Sequence, residues 1–244
     1  MLKNTTKVIG ISVVLFLIPI SIIESAQAST LSTNFTPAIP ISSIIQYTLS
    51  DGQTSPDSMW VNHYNGFGSS GVKKDVDGNY VFFEYPMTST NENETYATLV
   101  FTTSKFKNFI LSLDVRTDKQ LRQNSPPNSW EVAWILFRYV DDFHHNYFIL
   151  KTNGIELGKI DNIVQAEEQI FLYTEDMPRV QIGKWSHWEI TVRGNHITVF
   201  VDEHKVIDFY DENMSKLLGT EGAIGLYNED AEVSFDNVSI VPIS

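Results

Sequence analysis

The sequence predicts an all-β fold built as a two-sheet antiparallel β-sandwich. Three observations carry that prediction. Apolar residues recur in short runs, either alternating or doubly apolar; turn signals such as Asp-Gly and Gly-Asn separate the runs; and no long segment spaces its apolar residues at helical intervals. No internal repeat of the kind that builds propellers or solenoids accompanies them.

At the start of the chain, Lys3 and Lys7 precede an uncharged, mostly apolar run from Val8 to Ile23, and Ala26-Gln27-Ala28 follows it. This is the three-part layout of a secretory signal peptide, residues 1–28, cleaved after Ala28. The run is shorter than the roughly 20 residues that a membrane-spanning helix needs, and Pro19 interrupts it. The expectation is an extracellular protein with no membrane insertion after signal cleavage. Residues 29–44 are rich in Ser, Thr and Pro and read as a linker or N-terminal edge, leaving 45–244 as the folded domain.

The strand candidates then follow in order. IIQYTLS precedes Asp51-Gly52, YVFFEYP follows Asp77-Gly78, and TYATLVFTT and FKNFILSLDVRT come next. WEVAWILFRYV and NYFILK flank the polar stretch DDFHH, and IELGKID follows Asn153-Gly154. WEITVR faces HITVFVD across Gly194-Asn195, a two-residue loop whose members tolerate positive φ. KVIDFY, GAIGLY and AEVSFDNVSIV complete roughly ten to twelve strands, with one possible helical turn at Glu212–Leu218.

The chain has no cysteine, so in an oxidising compartment packing or a bound metal must do what disulfides often do. Its net charge is −13, and loss of Lys3, Lys7 and Glu24 with the signal makes it one unit more negative. An acidic surface argues against nucleic acid and anionic membranes as partners. It is compatible with neutral sugars and with divalent cations.

Side chains alternate faces along a strand, so each run can be sorted into two sides. In FKNFILSLDVRT, Phe109, Leu111, Leu113 and Val115 form the core side, which leaves Asp114 and Arg116 opposite. In WEVAWILFRYV, Ala133, Ile135 and Phe137 suit the core, which directs Trp130, Trp134 and Arg138 outward. In NYFILK, Phe148 and Leu150 suit the core, and Tyr147, Ile149 and Lys151 face out. If these strands are neighbours in one sheet, Asp114, Arg116, Trp134, Arg138, Tyr147 and Lys151 share a wet face. Aromatic rings that stack on sugar C–H faces, mixed with planar donors and carboxylate acceptors, are the composition of a glycan groove. The same residues also decorate ordinary exposed sheets, where Arg138 and Asp114 could simply pair across strands.

Other chemistries find little support. Asp75-Val-Asp77-Gly-Asn79 has oxygen ligands at alternate positions, but its glycine is fourth where an EF-hand needs it sixth, and a hairpin turn explains it better. Adjacent His144 and His145 would face opposite ways in a strand, no H-E-x-x-H occurs, and no G-x-S-x-G elbow is present. Gly66, Gly68 and Gly71 are not preceded by a clear βαβ strand, so they read as a loop and not as a phosphate cradle. Carboxylates are plentiful enough that a glycosidase pair could form without a local signature.

The stretches ILFRYVDDFHHNYFILK, GKWSHWEITVRGNHITVFVDEHKVIDFYDE and GAIGLYNEDAEVSFDNVSIV, in that order, resemble the concanavalin A-like lectin/glucanase jelly rolls from about Phe106 to Pro242. The similarity is greatest to the branch holding laminin-G-like modules and 3-keto-disaccharide hydrolase-type domains. The resemblance implies a sandwich whose concave sheet carries ILFRYV and YFILK and holds carbohydrate. It also implies one structural calcium ion near the last strand, with Asp236 supplying a carboxylate. Val233 and Phe235 share one parity, yet Val238 and Ile240 share the other, so a β-bulge at Asp236-Asn237 would reconcile them and aim Asp236 outward. The E-x-D-x-x-E string of laminarinase-type glucanases is absent, and no short motif of the keto-sugar branch transfers catalytic residues. The functional expectation is a secreted, lectin-like glycan-binding domain without catalysis. The alternatives are a glycan-active enzyme of the 3-keto-disaccharide hydrolase type, or a surface adhesion or structural module.

Overall fold

The computed structural model describes residues 31–33, 46–164 and 169–244. The predicted signal peptide lies outside the described residues. Within them the chain forms strands and turns with no helix. The strands are β1 (Leu31–Thr33), β2 (Tyr47–Leu49), β3 (Trp60–Tyr64), β4 (Ser69–Lys74), β5 (Tyr80–Tyr85), β6 (Ala97–Thr102), β7 (Phe109–Gln120) and β8 (Ala133–Asp141). They continue as β9 (His144–Lys151), β10 (Gly154–Asp161), β11 (Gln169–Glu175), β12 (Ser186–Arg193), β13 (His196–Val201), β14 (His204–Tyr210), β15 (Ala223–Glu229) and β16 (Ala231–Pro242). The described strands outnumber those read from sequence because short strands such as β1 and β3 carry little apolar patterning.

Two antiparallel sheets result. One runs β14-β13-β12-β7-β16-β5-β4-β2, with β1 beside the far half of β16; the other runs β11-β10-β9-β8-β15-β6-β3. We call them the β7 sheet and the β8 sheet. Part of the segment read as a linker or N-terminal edge contributes an edge strand, through Leu31–Thr33 paired with Val238–Ile240.

The core fills the space between the sheets. Phe109, Leu111, Leu113 and Val115 project from one side, Ile135, Phe137, Phe148 and Leu150 from the other, all buried in a single cluster with Trp188 and Phe235. The face sorting within each of these strands is as alternation predicts. The turns follow their residues too: β12 and β13 join through Gly194-Asn195, where Gly194 takes φ +57°. Asp75–Asn79 closes the β4–β5 hairpin, with Asp75 N donating to Asn79 O at 2.7 Å and Gly78 at φ +96°. The expected helical turn at Glu212–Leu218 is instead a series of non-helical turns. Lys159, pointing inward from β10, holds that segment by donating to both Asp211 carboxylate oxygens at 2.8 and 2.9 Å.

Candidate functional site

The outer face of the β8 sheet carries a second apolar cluster, formed by Leu99, Trp134, Leu136, Tyr139, Tyr147 and Ile149, with Tyr64, Phe101 and Tyr227 leaning on it. A hollow of about 270 Å³ opens on this face. Its walls come from six strands and a turn: Tyr64 of β3, Trp134 and Leu136 of β8, Asp142 of the β8–β9 turn, His145 and Tyr147 of β9, Ile160 of β10, Gln169 of β11, and Tyr227 and Glu229 of β15. Alternation explains their convergence, since Leu226 faces the core and Tyr227 therefore faces out, as Phe148 and Tyr147 do on β9. The Trp134 ring lies 5.1 Å from that of Tyr147 and 5.4 Å from that of Tyr227, the latter nearly perpendicular at 79°.

Polar groups are fixed around these rings. The Tyr147 hydroxyl donates to Glu156 at 2.8 Å and accepts from Gln169 Nε2 at 2.6 Å, while Lys151 grips the other Glu156 oxygen. Tyr147 can lie flat because its cross-strand partner is Gly158: a Cβ there would sit 2.0 Å from the tyrosine hydroxyl oxygen. The Tyr227 hydroxyl donates to Glu229 at 2.7 Å, and the Tyr139 hydroxyl to Asp142 at 2.9 Å. Burial raises the Glu229 carboxyl above its ordinary range; the Tyr227 bond opposes this, and the neighbouring charges of Asp230 and Glu131 add to it. Burial lowers the His145 imidazole. Its Nδ1 lies 3.3 Å from the Asp141 carbonyl oxygen, which can only accept, so the proton sits on Nδ1 and Nε2 keeps its lone pair.

The six residues assigned to one face from sequence do not share it. Trp134, Tyr147 and Lys151 do lie on the outer side of the β8 sheet, although Trp134 is a wall and not an open platform at 8% exposure. Lys151 is occupied by Glu156. Asp114 and Arg116 belong to β7 in the opposite sheet and face the other outer surface of the sandwich. The reason is the connection 121–132, which carries the chain from the β7 sheet to the β8 sheet.

Arg138 also departs from expectation. Residue 138 has φ +51° in a bulge, where three steps along β8 (Tyr139 to Leu136) oppose two along β15 (Ala223 to Gly225). The extra residue turns Tyr139 outward and sends Arg138 toward the far sheet, where it donates to the Gly194 carbonyl and to Met214 Sδ at 3.1 Å. Burial pushes this guanidinium down to about 10, against the charge of Asp211. A pairing of Arg138 with Asp114 is ruled out by the same topology.

On the outer face of the β7 sheet, a hollow of about 350 Å³ gathers Asp75, Asp77, Asp114, Asp202 and Asp236 with Trp185, His187 and Asn237. Arg116 closes one side, bonded to both Asp75 oxygens at 2.9 and 3.1 Å and lying 4.5 Å from the Trp185 ring. The bulge expected at Asp236-Asn237 is present: Asp236 pairs with Asp114 and Ser239 with Ser112, and Asn237 takes φ +51°. Asp236 accordingly points outward. Among the described residues no three acidic, cysteine or histidine side chains form a metal-binding cluster. One Asp236 oxygen accepts from its own neighbour, Asn237 N, at 2.7 Å.

Sequence reasoning missed Tyr64, Asp142, His145, Gln169, Tyr227 and Glu229. For Tyr227 and Glu229 the alternation of GAIGLYNE was a usable signal, since the inward set Ile224, Leu226 and Asn228 leaves both facing out. Tyr64 and Gln169 sit on edge strands with no comparable pattern.

Residues 47–241 match the family described as the 3-keto-alpha-glucoside-1,2-lyase-like domain. The chain belongs to that family. None of the curated proteins matches it. Among solved structures, this family member is similar to the carbohydrate-binding module CBM66 from Bacillus subtilis, with a TM-score of 0.51 and 15% identity over 78% of this chain and 97% of that one. It is similar to a structure described with endo-acting O-glycanases that prominent human gut bacteria express to initiate mucin breakdown, with a TM-score of 0.50 and 9% identity over 88% and 99%. A Bacillus licheniformis β-glucanase gives 0.48 and 11% over 82% and 98%. At these identities the likeness is one of fold, and the two-sheet sandwich is a concanavalin A-like jelly roll. No helix among the described residues is long and apolar enough to cross a membrane.

Proposed function

We propose that the 3-keto-alpha-glucoside-1,2-lyase-like domain described here is an extracellular glycan-binding protein, and that the hollow on the outer face of the β8 sheet is its site. One observation carries this reading: four aromatic residues, Tyr64, Trp134, Tyr147 and Tyr227, wall a hollow that also holds the carboxyls of Asp142 and Glu229 and the amide of Gln169. Rings supply apolar contact for sugar C–H faces, and the fixed polar groups orient hydroxyls. The test is calorimetric titration with neutral oligosaccharides on the intact protein and on Tyr64→Ala and Tyr227→Ala. Removing either half-buried ring weakens binding at least about tenfold, as loss of a central aromatic contact does. Unchanged affinity in both variants, with the fold retained, contradicts the assignment.

A second reading, a glycan-active enzyme, is favoured by the contrast between His145 and Glu229. A neutral imidazole with its proton fixed on Nδ1 suits a general base, and a carboxyl whose burial favours its protonated form suits a general acid. For a 3-keto-α-glucoside, the base removes the C2 proton acidified by the adjacent ketone. The C–H electrons form the C1=C2 bond as the C1–O bond breaks, and the acid delivers its proton to the departing oxygen. Incubation with a 3-keto-disaccharide and assay of released sugar tests it. Release that is abolished in both His145→Ala and Glu229→Gln supports the enzyme, and no release leaves glycan binding as the activity.

A further inference from the structure

We propose that the hollow of the β8 sheet is built for a sugar residue carrying a positively charged amine, a glucosamine-type unit in preference to an N-acetylated or acidic one. This deepens the glycan-binding reading and rests on it. The lysines and arginines near the hollow are all engaged elsewhere, and His63 lies 3.9 Å from the Asp142 carboxylate. Arg138 is turned inward to the Gly194 carbonyl and Met214. Lys151 is bound to Glu156, and Lys159 to Asp211 and the Asn213 carbonyl. Arg122, behind the β15–β16 turn, is consumed by Glu131, Asp230 and the carbonyls of Asn91 and Glu94. Among the described residues that line the hollow there is no lysine or arginine, while Asp142 and Glu229 both do.

The lining therefore offers acceptors and aromatic rings to a ligand and no charged donor. An anionic sugar, a uronate or a sulfate ester, would be desolvated beside two carboxyls without a partner, which is strongly unfavourable. An ammonium gains on both counts. It can bond the carboxylates, and it is attracted to the ring faces of Trp and Tyr, most strongly when desolvated. Burial and the charges of Asp230 and Glu131 raise the Glu229 carboxyl, and a cation seated beside it opposes that shift and favours the charged carboxylate.

The test is calorimetry near neutral pH with chito-oligosaccharides of one length in three forms: fully N-acetylated, de-N-acetylated, and replaced by an oligouronate of the same length. The de-N-acetylated form is expected to bind about tenfold or more tightly than the N-acetylated form. That ratio falls toward one in Glu229→Gln. Equal or weaker binding of the amine form, or tighter binding of the uronate, overturns the proposal while leaving the glycan site intact. Failure of all three saccharides to bind overturns the glycan reading, and this inference with it.

Discussion

Tyr147 rests on Gly158: the two are cross-strand partners, and a Cβ at residue 158 would meet the tyrosine hydroxyl oxygen at 2.0 Å. That one missing methyl lets an aromatic ring lie against the outer sheet, reach Glu156 and Gln169, and support Trp134 at 5.1 Å. Gly158→Ala is therefore expected to displace Tyr147 and to destabilise the fold by about 1–3 kcal/mol, as overpacking does. Urea denaturation measures the loss. A neutral result means the ring is not seated there.

Arg138→Ala separates the two roles an arginine at this position could have. The side chain crosses to the Gly194 carbonyl from a bulge and takes no part in the hollow. The variant should lose about 1–3 kcal/mol of stability through the unpaired carbonyl and lost packing, with oligosaccharide affinity unchanged. Weakened binding in a variant of intact fold would return Arg138 to the site.

Glu84 predicts a pH dependence. It points from β5 into the interior, accepts from Asn228 Nδ2 at 2.9 Å, and leaves its Oε1 without a partner. Burial raises its carboxyl well above the ordinary range. A raised folded-state value means the folded chain holds the proton longer than the unfolded chain. The associated stability is complete below the unfolded value of about 4.3 and is lost as pH rises through the folded one. Glu84→Gln, which cannot ionise, should melt like the parent near pH 4 and increasingly above it as the pH approaches about 8. Glu229 and Asp236 shift the same way and are common to both proteins, so the difference isolates Glu84. Parallel melting curves across that range contradict the assignment.

Asp236 faces the acid-rich hollow of the other sheet. Burial raises its carboxyl, and the charges of Asp114, Asp77 and Asp75 add to this against the Asn237 backbone bond. Asp236→Asn should stabilise the protein at neutral pH by roughly a few tenths of a kcal/mol after solvent screening, with calcium making no difference to either protein. A calcium-dependent rise in the melting midpoint that Asp236→Asn abolishes would give the ion a place beside this residue.

Much of the fold could be read from local alternation, because a period of two reports which side of a strand meets the core. The inward sets of β7, β8 and β9 follow from it, and so does the bulge at Asp236-Asn237, where the parity of Val233 and Phe235 gives way to that of Val238 and Ile240. What alternation does not carry is sheet membership. Asp114 and Trp134 both face outward, yet the 121–132 connection sets them on opposite surfaces of the sandwich. Nor does it show a bulge inside an unbroken apolar run, so alternation alone directs Arg138 outward while the bulge turns it inward. The remaining walls of the hollow, Tyr64 and Tyr227, are distant in sequence and meet Trp134 only through the pairing of β3, β6, β15 and β8.

The most direct measurement is an NMR titration of the uniformly labelled protein with a chito-oligosaccharide, following the tryptophan indole N–H signals. Trp134 stands at the hollow of the β8 sheet and Trp185 at the acid-rich hollow of the β7 sheet. Saturable shifts are expected at Trp134 and at the backbone of Tyr227 and Glu229, with Trp185 unmoved. Shifts confined to Trp185 and its neighbours would contradict it.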